Sequence, residues 1–73
     1  MNPMRYAIVI EKAEHNFSAY VPDLPGCVAT GATVAEVEAS LREAIVFHLD
    51  GMREDGLQIP QPQSLVCYLD IAA

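Results

Sequence analysis

Apolar and polar positions alternate along this chain at two different periods, and the switch between them lays out the elements. In Met4–Lys12, Tyr6, Ile8 and Ile10 fall on one face, and Arg5, Ala7, Val9 and Glu11 fall on the other. Period two with β-branched and aromatic residues predicts a strand. Ala13–Asn16 has the length and polarity of a hairpin loop. Phe17, Ala19 and Val21 then alternate with Ser18 and Tyr20 in a second strand, stopped by Pro22, which has no backbone donor. Leu24-Pro25-Gly26-Cys27 fits a type II turn, with Gly26 at the position that needs positive φ. A short third strand is expected over Cys27–Thr30, ended by Gly31.

The period then lengthens. Val37, Leu41, Ile45, His48 and Met52 form one helical stripe, with Val34, Ala44 and Leu49 beside it. Glu36, Ser40, Glu43, Asp50 and Glu54 line the opposite side. The helix is expected from Val34 to about Asp55. Thr33 and Glu36 read as a capping box, the Thr33 hydroxyl taking an early helical N–H and Glu36 reaching back to the N–H of Thr33. Glu38 and Arg42 are spaced for an i, i+4 pair. Gly51 weakens the last turns by roughly 1 kcal/mol relative to alanine, and Gly56 is the expected stop. Pro60 and Pro62 make Leu57–Gln63 an extended crossing segment. Leu65, Cys67, Leu69 and Ile71 alternate with Val66, Tyr68 and Asp70, which predicts a last strand over Leu65–Ile71. The fold class is therefore α+β, in the order β-β-β-α-β. A largely antiparallel sheet carries one long helix on one face and leaves its other face partly bare.

Composition adds a constraint. The 73 residues are expected to form one domain, 1–73, which buries only about 60% of its unfolded surface. Its core supplies on the order of 3–5 kcal/mol. The hydrophobic fraction of 52% exceeds what so small a core holds, so the surplus is read as interface. A homodimer or larger assembly is expected, through the bare sheet face or an edge strand. Pro22 and the short third strand make a poor edge, so the first or last strand is favoured.

Ten acidic residues against four basic ones give a net charge of -6. That balance repels phosphate, so direct nucleic-acid binding is not expected. A basic protein partner and a plain solubility charge both fit it. Cys27 and Cys67 form no CxxC pair and lie in apolar runs, so buried free thiols are expected. Met1–Ile10 lacks a leader pattern, and no apolar run approaches the roughly 18 residues of a membrane span. A cytoplasmic location follows as the expectation.

Signatures of catalysis are sparse. The chain has no GxGxxG, P-loop, GxSxG or HExxH pattern. His15 reads as a loop histidine and His48 as a partly buried helix histidine. A Cys27–His48 nucleophile pair lacks a third residue and an oxyanion feature. Glu11, Asp23 and Asp70 lie on or near strands, where a vestigial magnesium nuclease site would place acids, but solvated strand-end charges explain them better. No enzyme activity, metal or cofactor is expected. Phe47 is the odd residue of the helix, set among Glu36, Glu43, Asp50 and Glu54 on the polar side. Two readings stand: cover by the Leu57–Gln63 segment, or an anchor in a protein interface.

The run Tyr20-Val21-Pro22-Asp23-Leu24-Pro25-Gly26-Cys27, followed by Thr30-Gly31-Ala32-Thr33 and the helix-opening Glu36, resembles the HicB family of antitoxins. The opening Tyr6–Lys12 strand and the closing Gly56-Leu57-Gln58-Ile59-Pro60-Gln61-Pro62 are similar to that family too. The likeness covers about residues 5–71 and rests on Pro22, Asp23, Pro25, Gly26, Gly31 and Thr33 as its structural motif. It implies a trimmed RNase H-like fold without that enzyme's catalytic acids. It also implies a partner, the small basic RNase toxin HicA, whose active site the antitoxin covers. Phe47, Glu43, Asp50 and Glu36 are then the candidate interface. Many members of that family carry an operator-binding helix-turn-helix or ribbon-helix-helix domain after this one; none is expected here, so toxin binding is expected without direct nucleic-acid binding. Here Ala32 and Val37 replace the acidic and small residues common at the family's helix start, which alters the cap and not the fold. The alternative is a stand-alone oligomeric regulatory or scaffold domain of the same fold with no toxin.

Overall fold

The computed structural model describes residues 4–73. The first three residues, part of the stretch read as lacking a leader, lie outside it. The order is β1 (Val9–Lys12), β2 (Phe17–Tyr20), β3 (Val28–Gly31) and α1 (Val34–Glu54). The strands form one antiparallel sheet in the order β1-β2-β3. The β1–β2 hairpin closes through residues 13–16, where the N–H of Ala13 donates to the carbonyl of Asn16 at 2.8 Å.

The expected first strand is cut to its second half. Its ladder begins only at Val9↔Tyr20, because β2 ends there. The next N–H, that of Val21, turns away and donates to the carbonyl of Cys27 at 3.2 Å, and Pro22 has no donor to offer. Residues 5–8 are left without a ladder partner. The type II turn forms as expected: Gly26 has φ 84°, and the Cys27 N–H donates to the Leu24 carbonyl at 3.1 Å. The third strand runs one residue later than expected and includes Gly31.

α1 lies over β3 and β2. The core joins Ala19, Val21, Leu24 and Cys27 to Val37, Leu41 and Leu49 of the helix. Tyr6, Ile8, Ile10, Phe17, Ala29, Ala44, Ile45 and Ile59 pack around it. Gly31 sets how closely helix and sheet approach. A Cβ there would sit 2.7 Å from the backbone nitrogen of Val37, and backbone cannot swing aside. Gly31→Ala is therefore expected to destabilise by roughly 1–3 kcal/mol, measured by thermal unfolding.

Thr33 caps α1, its Oγ1 accepting from the N–H of Glu36 at 3.1 Å. Glu36 reaches back one residue further than the capping-box reading, to the N–H of Ala32 at 3.0 Å. The helix continues through Gly51 to Glu54. It ends in a Schellman motif: Gly56 has φ 70°, the Leu57 N–H donates to the Met52 carbonyl at 2.9 Å, and the Gly56 N–H donates to Arg53. Glu38 and Arg42 do not pair; the ion pair on the helix among the described residues is Arg53 with Asp50, at 3.2 Å.

The expected last strand is absent from the sheet. Among the described residues, 57–73 form neither strand nor helix, and from Leu65 onward every side chain is exposed. Cys67 is consequently an exposed free thiol, contrary to the expected burial, whereas Cys27 is buried and free. The reason is the lack of a partner, since the tail stands clear of the sheet edges of its own chain. The radius of gyration of 14.0 Å exceeds the roughly 11 Å of a compact chain of this length, as a projecting tail requires.

Candidate protein interface

The helix surface turned away from the core presents the first candidate. Glu36, Glu43, Phe47 and Asp50 recur at seven, eleven and fourteen residues along α1, which places them on one stripe. Phe47 is 83% exposed, so the crossing segment does not cover it. Val46 beside it is also exposed, and the two share a shallow depression with Arg42, Glu43 and Asp50. Glu36 sits a full seven residues away and is held by its cap contact, so it rims the stripe rather than the depression. A large aromatic ring in water with carboxylates around it suits the centre of a protein contact, where aromatic residues are enriched.

The bare sheet face is the second candidate. Ala19 turns into the core, so its neighbours Ser18 and Tyr20 turn outward. Val9 pairs with Tyr20, and Tyr20 with Val28, which sets three apolar side chains in a row across all three strands. Tyr20 and Val28 are exposed.

Asp23 organises the other end of the molecule. It lies just after β2, on the turn rich in prolines and glycine. Its carboxylate accepts from the N–H of Gln63 (2.9 Å), the N–H of Ser64 (2.9 Å) and the hydroxyl of Ser64 (2.8 Å). The Tyr6 hydroxyl donates to the Pro60 carbonyl at 2.6 Å, and its pKa is raised, by desolvation first and by Asp23 second. Together these contacts tie down the segment after the helix, which sequence reasoning treated only as a proline spacer.

The donated hydrogen bonds, those from the Ser64 and Gln63 backbone foremost, hold the Asp23 carboxyl below the usual carboxylate range. Because the folded pKa is lowered, the contribution of the tether is complete above the ordinary carboxylate pKa of about 3.9. It is lost as pH falls through the depressed value. Amide exchange at Gln63 and Ser64 is expected to stay protected down to about pH 4 and to lose protection below it. In Asp23→Ala it is expected to be fast at every pH.

The residues considered for catalysis do not assemble. Among the described residues, no group of three or more His, Cys, Asp or Glu side chains is placed to hold a metal ion. His15 is exposed beside Glu14, 4.0 Å away. His48 is half-buried on α1. Burial raises the pKa of the Cys27 thiol, the opposite of nucleophile activation. No helix among the described residues is long and apolar enough to cross a membrane.

Fold and surface together define a small α+β protein with exposed apolar patches, the one around Phe47 edged by Glu43 and Asp50. Comparison with known proteins makes the class specific. Residues 6–71 match the family described as HicB_like antitoxin of bacterial toxin-antitoxin system, and the chain belongs to that family. It is 39% identical over 67 residues to a 14.9 kDa protein of the rep-hol intergenic region of Haemophilus phage HP1, covering 92% of this chain and 50% of the phage protein. It thus spans half the length of that relative. A UPF0150 protein of Helicobacter pylori is 35% identical over 65 residues, covering 88% of this chain and 90% of the relative. A chain from a solved HicA3 and HicB3 toxin-antitoxin complex superposes with a TM-score of 0.70 at 32% identity, over 81% of this chain and 70% of its own. Family and structural likeness place the chain in toxin–antitoxin biology.

Proposed function

We propose that this chain is an antitoxin module that binds a basic RNase toxin of the HicA type and silences it by covering its RNA-binding surface. The observation that carries the reading is Phe47, exposed on a helix face edged by Glu43 and Asp50, in a chain of net charge -6. An RNase must attract phosphate, so its working surface is basic. The acidic helix steers onto that surface, and Phe47 supplies the apolar anchor. The chain acts by occupancy, without catalysis or cofactor, as one cytoplasmic domain. It also associates with itself, since the row of Val9, Tyr20 and Val28 and the apolar tail leave more exposed apolar surface than a lone molecule of this size needs.

Binding to a small basic toxin of the HicA type tests the reading. A complex is expected to survive purification, and its association rate is expected to fall on the order of tenfold or more between low and high salt. An association rate insensitive to salt counts against acidic steering.

A further inference from the structure

We infer that Leu65–Ile71 is an exchanged arm, which in a pair of copies adds as a strand to the partner copy and fills a groove between that copy's residues 5–8 and α1. The inference rests on the self-association proposed above and assigns the surfaces that carry it.

The arm has strand chemistry without a strand's partner. Leu65, Cys67, Leu69 and Ile71 occupy alternate positions, and Leu65 and Leu69 are 90% and 83% exposed. Such a segment is unstable in water as it stands. Its root, by contrast, is fixed: Gln63 and Ser64 are held by Asp23, and Pro60 by Tyr6. Pro60 and Pro62 stiffen the approach. The arm therefore leaves the body from a defined point.

The receiving surface is built on the same fold. Because α1 covers β3 and β2, the β1 side of the sheet is left open. A groove of about 460 Å³ lies there, with Tyr6, Ile8, Leu41, Ile45 and Leu49 among its walls. The backbone of residues 5–8 lies on the outer edge of the sheet without a ladder partner, as an added strand requires. Face matching is consistent. Tyr6 and Ile8 turn toward the helix, and Arg5, at the alternate position, lines the groove at its rim, so an arm that points Leu65, Cys67, Leu69 and Ile71 inward turns Asp70 to the rim side that Arg5 occupies.

Charge selects this occupant. The arm carries a single charged side chain, Asp70. Two of the four cationic side chains of this acidic protein, Arg5 and Arg42, line the groove, with Glu38 as its one acid. A mostly apolar strand bearing one carboxylate matches that lining. Reciprocal exchange about a two-fold axis satisfies both arms and both grooves and closes the assembly.

Light scattering and thiol labelling on the full chain, with and without Leu69→Asp, test this. The wild type is expected at twice the 7.9 kDa chain mass, with Cys67 slow to react because it faces the groove. Leu69→Asp is expected to be monomeric, with one fast-reacting thiol per chain and an unchanged helical circular-dichroism signal, since Leu69 touches no core residue. A wild-type monomer with fast Cys67 overturns the arm and the self-association reading together. A dimer that survives Leu69→Asp and keeps a fast Cys67 overturns the arm alone and moves self-association to another face. A monomer with slow Cys67 overturns exchange, because the arm then closes on its own groove.

Discussion

Leu41→Ala is expected to lower the midpoint of thermal unfolding by on the order of 10–30 °C. Leu41 is among the most buried side chains, with Val37 and Leu24, and it lies one turn beyond Val37, whose backbone Gly31 lets come close to the sheet. Truncating a buried leucine costs about 2–5 kcal/mol, through lost transfer energy and the cavity left behind. A chain of this length has on the order of 3–5 kcal/mol from its core, so one substitution consumes most of it. Circular dichroism against temperature measures the effect. A shift of only a few degrees would mean that the core of Ala19, Val21, Leu24, Cys27, Val37, Leu41 and Leu49 is not the main support of the fold.

Phe47→Ala is expected to do the reverse, leaving stability nearly untouched and removing the toxin. Its ring contributes little to folding because it lies in water, so the change stays within about 0.5 kcal/mol. At the centre of an interface, truncating an aromatic anchor costs about 2 kcal/mol or more, roughly a thirtyfold rise in Kd. Glu43→Lys and Asp50→Lys act differently. They slow association through lost steering and shift dissociation less, with Asp50 the weaker of the two because Arg53 already pairs with it. Binding kinetics on the three variants separate anchor from steering. If Phe47→Ala binds like wild type, the contact lies elsewhere, with the row of Val9, Tyr20 and Val28 the next surface to alter.

The elements that local chemistry dictates were legible in the sequence. Thr33 and Gly56 bound the helix, Pro25-Gly26 makes the turn, and the alternation around Ala19 orients the sheet. What escaped was decided by contacts distant along the chain. Leu24 reads as a turn residue and is fully buried, because the loop it belongs to packs into the core that Val37, Leu41 and Leu49 of α1 complete. The first strand was read too long, since its alternation continues past the point where β2 stops supplying partners. Asp23 looks like a loose strand-end acid until the chain returns through Gln63 and Ser64. The strand pattern of Leu65–Ile71 is plain, but a pattern names no partner. Of the candidate interface, the stripe of Glu36, Glu43, Phe47 and Asp50 follows from helical spacing alone. The exposure of Phe47 does not, because it depends on the path of Leu57–Gln63.

The most direct test of the antitoxin reading is to titrate a HicA-type toxin with this protein while following RNA cleavage. Cleavage is expected to fall in proportion to added protein and to cease once the toxin is saturated, with Phe47→Ala requiring a large excess for the same effect. Undiminished cleavage at saturating protein, with no complex detected, would contradict the reading.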